Sequence, residues 1–120
     1  MAKTLLFLTA LGYTIALIVV SFISIDGVPS LGSDFDDKIY HGIAYLLLSF
    51  LWGLYSKFKP IKFRYVRVII STILFGIIIE SLQHKINPNR VFDLNDIAAN
   101  CLGVLLGTLF AVPLNVNKLN

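Results

Sequence analysis

Three of the seven acidic side chains in the 120-residue chain, Glu80, Asp93 and Asp96, stand within one short stretch. Gln83, His84, Arg90 and Asn100 lie among them, and a strongly apolar segment flanks each side. Carboxylates, imidazole and guanidinium gathered in this way can exchange protons, orient a polar group or hold an anion. Reading Glu80, Gln83 and His84 as the end of one helix, and Asp93, Asp96 and Asn100 as the start of the next, faces two polar surfaces across a short loop containing Pro88. Earlier in the chain Asp37, His41 and Tyr45 recur every four residues and so share one side of a helix, with Lys38 beside them.

Proton chemistry falls most naturally to Glu80, His41 and Asp96, which are the candidate catalytic residues. Asp37, Lys38, Tyr45, Gln83, Arg90, Asp93 and Asn100 are candidates for binding a substrate. Each has a plainer explanation. Asp37 and Lys38 suit an interfacial position, Tyr45 a core aromatic, and His41 a hydrogen bond to a neighbouring helix; Asp93 suits an N-cap. Glu80 is harder to explain away, because an acidic group at the centre of a spanning helix costs about 2.5–3.5 kcal/mol on insertion scales and usually faces a partner or an aqueous cavity. An ion pair with Arg90 or Lys38 would meet that need without function. His41, Glu80, His84 and Asp96 can also be drawn around a Zn or Mn ion. They lack the fixed spacing of a zinc signature, so the sequence reading assigns neither metal nor cofactor. No P-loop, dinucleotide fingerprint or nucleophilic triad is present.

The elements that must carry these residues are set by composition. With 57% hydrophobic and 14% charged residues and a mean hydropathy of +0.81, the chain is too apolar for a soluble domain, so its main solvent is lipid. A spanning helix needs about 20 mostly apolar residues. The expectation is an all-α membrane protein of a single domain, 1–120, with four transmembrane helices over approximately 4–25, 38–56, 67–84 and 95–114. The first segment is longer than the core of a cleaved signal peptide and is read as a span. The last carries Ala99, Gly103 and Gly107, a ladder of small residues at a spacing of four that lets another helix come close.

Orientation follows from charge. Lys57, Lys59, Lys62, Arg64 and Arg67 are five of the ten basic residues and share one connection without an acidic residue, which belongs on the cytoplasmic side. Both termini are then cytoplasmic. The acidic 26–37 loop and the polar stretch around Arg90 face outward, so the candidate residues meet at an outer-face cleft. Basic residues serving as a topology signal, without interleaved aromatics, argue against nucleic acid as a partner. The lone Cys101 excludes an intrachain disulfide.

Taken together, Asp37-Lys38-x-x-His41-x-x-x-Tyr45, Glu80-x-x-Gln83 and Arg90-x-x-Asp93-x-x-Asp96-x-x-x-Asn100-x-x-Gly103-x-x-x-Gly107 resemble the pattern of VanZ-like proteins over nearly the whole chain. Gly42 departs from it, standing where a bulkier apolar or aromatic residue is expected, and this bears on local packing. The family comprises small multi-pass bacterial membrane proteins whose founding member is associated with resistance to the glycopeptide teicoplanin. The resemblance therefore implies a place in the bacterial cytoplasmic membrane and a role at the cell envelope, in antibiotic resistance, but supplies no reaction. Two readings follow. In the first, the cleft recognises or modifies a polar envelope component, such as a lipid-linked cell-wall precursor or another anionic headgroup. Lys38 and Arg90 would then hold the anion, while Glu80, His41 and Asp96 orient it or move protons. In the second, the protein is a non-catalytic scaffold whose polar residues form a hydrogen-bond network that fixes the helix packing.

Overall fold

A computed structural model describes residues 2–22, 36–58, 62–86 and 94–114. The described residues form four helices: α1 (Ala2–Phe22), α2 (Asp36–Ser56), α3 (Arg64–Ile86) and α4 (Leu94–Ala111). All four are long and apolar enough to cross a membrane. Helix is the form lipid enforces, because the backbone must satisfy its own N–H and C=O groups where water is absent. Leu, Ile, Val and Phe side chains accordingly line the outside of the bundle, among them Leu5, Ile70, Leu102, Leu109 and Phe110. The protein is thus a four-helix, multi-pass membrane protein.

The helices alternate in direction. Phe7 of α1 stacks against Tyr55 of α2 (ring centroids 5.2 Å apart) and Tyr13 donates to the Ala44 carbonyl at 2.5 Å, so α1 and α2 are antiparallel. The start of α1, the end of α2 and the end of α4 lie together at one end of the bundle, where Phe7 meets Tyr55 and the Lys57 ammonium donates to the carbonyls of Val112 (2.7 Å) and Leu114 beyond α4. These carbonyls are orphaned by the end of the helix, and a lysine there satisfies them. α3 begins at Arg64, ahead of the expected start near 67. Phe63 takes a left-handed conformation (φ 55°), and its carbonyl accepts the Arg67 N–H at 2.9 Å, opening the first turn.

The closest packing joins α2 to α4, which run parallel. A Cβ on Gly103 would overlap the Gly42 carbonyl, and one on Gly107 would overlap the Leu46 carbonyl and the Ser49 hydroxyl. Further along, a Cβ on Gly53 would lie 3.1 Å from the Ala111 Cβ. Residues 42, 46, 49 and 53 form the α2 stripe opposite Ala99, Gly103, Gly107 and Ala111 on α4. The group under Gly103 is the Gly42 backbone carbonyl, which any residue at 42 would present; a Cβ on Gly42 itself would meet only the Ala99 carbonyl, at an ordinary 3.7 Å. The buried hydroxyls near this contact are satisfied within their own helices, Ser49 on Leu46 at 3.1 Å and Thr108 on Val104 at 2.9 Å. They fill space as small residues and leave no polar group for lipid to meet. Tyr45, Leu48 and Val104 form the core beside this seam.

Candidate functional site

Because α2 and α4 run parallel with α3 antiparallel to both, the N-terminal turns of α2 and α4 and the C-terminal turns of α3 share one end of the bundle. The end opposite holds the end of α2 and the start of α3. The residues singled out for chemistry are carried on these turns.

His41, Glu80 and Asp96 come from three different helices, and one ligating atom of each lies within 4.8 Å of the other two. His41 Nε2 and Asp96 Oδ2 are 3.8 Å apart. Glu80 and Asp96 are buried, while the His41 side chain keeps 16% of its surface accessible. Two carboxylates and an imidazole held together away from bulk water interact far more strongly than they would in solution. The group can share a proton, hold a cation, or turn donors and acceptors toward a bound polar molecule.

One turn deeper, Asn100 is buried on the same face of α4 as Asp96, and its Oδ1 has no hydrogen-bond partner among the described residues. It packs against α3 at Gly76, where a Cβ would lie 3.3 Å from Asn100 Nδ2 and 3.1 Å from the Tyr45 ring. Tyr45 thus forms the floor with Asn100, one turn below His41. Gly76 is the α3 counterpart of the α4 glycines, a position at which a side chain would push Asn100 and Tyr45 away.

Gln83 takes a different course. It is buried, but its amide donates to the Ser21 carbonyl of α1 at 2.6 Å, which fastens the last turn of α1 to α3. A carbonyl so near a helix end lacks an intrahelical partner, which explains the bond. Gln83 Oε1 is buried without a hydrogen-bond partner among the described residues.

Asp37 and Lys38 lie in the first turn of α2 and His84 in the final turns of α3, with their side chains outside the described set. Arg90 and Asp93 fall outside the described residues altogether. Sequence reasoning found the small residues of α4 but not their counterparts on α2, or Gly76 on α3. The spacing of Gly42, Ser49 and Gly53 carried that signal.

A cavity of about 390 Å³ lies toward the other end, lined by Trp52, Tyr55, Val68 and Phe75, with Arg64 and Arg67 among its walls. It is separate from the polar cluster and almost wholly apolar.

Comparison with the curated proteins and with the solved structures gave no match. The VanZ/LLP1 family profile, by contrast, matches residues 3–115, which takes in all four helices and the His41, Glu80 and Asp96 positions, and the chain belongs to that family.

Proposed function

We propose that this VanZ-family membrane protein recognises the polar headgroup of an envelope component, such as a lipid-linked cell-wall precursor, at the His41–Glu80–Asp96 end of the bundle. The observation that carries the reading is the convergence of three ionisable side chains from three helices to within 4.8 Å, two of them buried, in segments that lipid surrounds. Ionisable groups in such segments are expensive and mark a partner or an aqueous path.

Charge supports an outward-facing site. Five basic residues between Lys57 and Arg67 favour the cytoplasm for the α2–α3 connection, and the cluster belongs to the opposite end. Both termini are then cytoplasmic. A reporter fused after Asn120 should be active only when it reads the cytoplasm; activity restricted to the outer side would reverse the orientation. In this reading Lys38 and Arg90, with Asp37 and Asp93 nearby, meet the headgroup where it enters. His41, Glu80 and Asp96 orient it or exchange a proton with it, above a floor of Tyr45 and Asn100. Family resemblance connects such a site with resistance to teicoplanin, a drug that acts at the envelope.

The test is to express wild type and Glu80→Gln in a teicoplanin-susceptible bacterium and to compare drug tolerance with the amount of folded protein in the membrane. A working site predicts normal folded protein, lost tolerance, and loss of the co-purifying lipid seen by native mass spectrometry. Folding and tolerance lost together would favour the scaffold reading, which has one observation behind it: the same three side chains tie α2, α3 and α4 together.

A further inference from the structure

We infer that His41, Glu80 and Asp96 form a binding site for one divalent first-row transition metal ion, Zn²⁺ or Mn²⁺, with an open coordination position facing the headgroup. This rests on the reading that the cluster is the working site.

In the sequence these three residues, with His84, can be drawn around such an ion but lack the fixed spacing of a metal signature, because they are scattered over α2, α3 and α4. Folding assembles them, and their ligating atoms lie within 4.8 Å of one another. The separation of 3.8 Å between His41 Nε2 and Asp96 Oδ2 is too long for a hydrogen bond. It is near the separation of two atoms that share an ion. Ligands about 2.1 Å from one metal in a tetrahedral site stand about 3.4 Å apart, so this pair closes by about 0.4 Å and the widest pair by at most about 1.4 Å, which side-chain rotation can supply.

Donor chemistry points the same way. Two carboxylates and an imidazole gathered from three helices into one largely buried cluster are the donor types that a divalent cation takes. The donor set of one nitrogen and two carboxylates suits an ion of intermediate hardness, and Cys101 is not part of it. A site with three protein ligands keeps a position for water or for an oxygen of the substrate. Asn100 Oδ1, buried one turn along α4 without a partner among the described residues, offers an acceptor to a water bound there. The ligand class that completes the site is an oxyanion, a phosphate or carboxylate of the headgroup.

The full chain, purified in detergent and stripped with chelator, should bind close to one equivalent of Zn²⁺ or Mn²⁺ by calorimetry, with a rise in thermal midpoint. Glu80→Gln and Asp96→Asn keep side-chain shape and remove one anionic ligand each. Each should weaken binding by about 100-fold or more, the upper end of what loss of an outer-shell partner costs. Co²⁺ added to the wild-type chain provides a reading independent of any variant: d–d absorption of an ion held by nitrogen and oxygen, with no thiolate charge-transfer band. Absence of stoichiometric binding would overturn the inference, as would binding that survives in both variants or a thiolate band. Tolerance to teicoplanin separates the two levels. Loss of tolerance in Glu80→Gln without metal binding by the wild type defeats the metal and leaves the headgroup reading standing. Metal binding with tolerance unchanged in that variant does the reverse.

Discussion

Along α4 the residues turned inward are Asp96, Asn100, Gly103, Val104, Gly107, Thr108 and Ala111, whereas on α1 the buried residue is Ala10. α4 meets α2 backbone to backbone, with no side chain between Gly103 and the Gly42 carbonyl. α1 is held by side chains: Tyr13 on the Ala44 carbonyl, the Trp52 indole on Thr14 at 2.9 Å, Gln83 on the Ser21 carbonyl, and the Phe7–Trp52–Tyr55 aromatic group. The first mode tolerates no added atom, while the second tolerates the loss of a bond. The candidate site sits on the first. His41 stands next to Gly42, and Asp96 and Asn100 lie within two turns of Gly103, so the glycine contact sets the distance between the α2 and α4 ligands. α1 covers the bundle and reaches the polar end through Gln83.

Gly103→Leu is the strongest way to break the contrast. No rotamer fits against the Gly42 backbone, and the expected result is loss of folded, monodisperse protein in detergent. Gly103→Ala, with one methyl to accommodate, should cost about 1–3 kcal/mol in reversible detergent unfolding. Full stability in both variants would mean that α2 and α4 do not meet there. Trp52→Phe comes next in size. It removes the bond to Thr14 and should cost roughly 0.6 kcal/mol, the typical worth of an interhelical hydrogen bond in a membrane protein, while leaving metal and lipid binding unchanged. A loss of binding would show that α1 shapes the site rather than covering it.

Smaller still is Gly42→Ala. Although Gly42 lies across the contact from Gly103, a Cβ there meets only the Ala99 carbonyl at an ordinary 3.7 Å, so the change should fall within about 0.5 kcal/mol of wild type. Leu105→Ala, half exposed toward lipid, should be equally mild. The two glycines thus make an asymmetric pair, and equal costs for Gly42→Ala and Gly103→Ala would contradict the contact as described.

Much of this is legible in the amino-acid sequence. Charge-free stretches of spanning length mark the helices, because the bilayer sets their length and lipid forbids other backbone forms. Residues 99, 103 and 107 betray the α4 seam by their spacing. The grouping of His41, Glu80 and Asp96 could be suspected from their similar depth in three helices, but their distances could not, since these depend on how deeply α4 settles onto α2. Gly42 shows the limit most clearly. As a letter it stands out from the family pattern, yet in the bundle it is Gly103 that must be bare, while position 42 contributes a backbone carbonyl that any residue carries. Gln83 shows another limit, since its spacing from Glu80 gave no hint that its amide reaches α1.

The central claim is that the α2–α4 seam brings His41 and Asp96 into one interacting group. A double-mutant cycle on His41→Ala and Asp96→Asn, read by reversible unfolding of the metal-free full chain in detergent, tests it most directly. The account predicts a coupling energy of about 0.5–3 kcal/mol, as for residues in one polar network. Additivity within about 0.3–0.5 kcal/mol, the behaviour of distant sites, would contradict it.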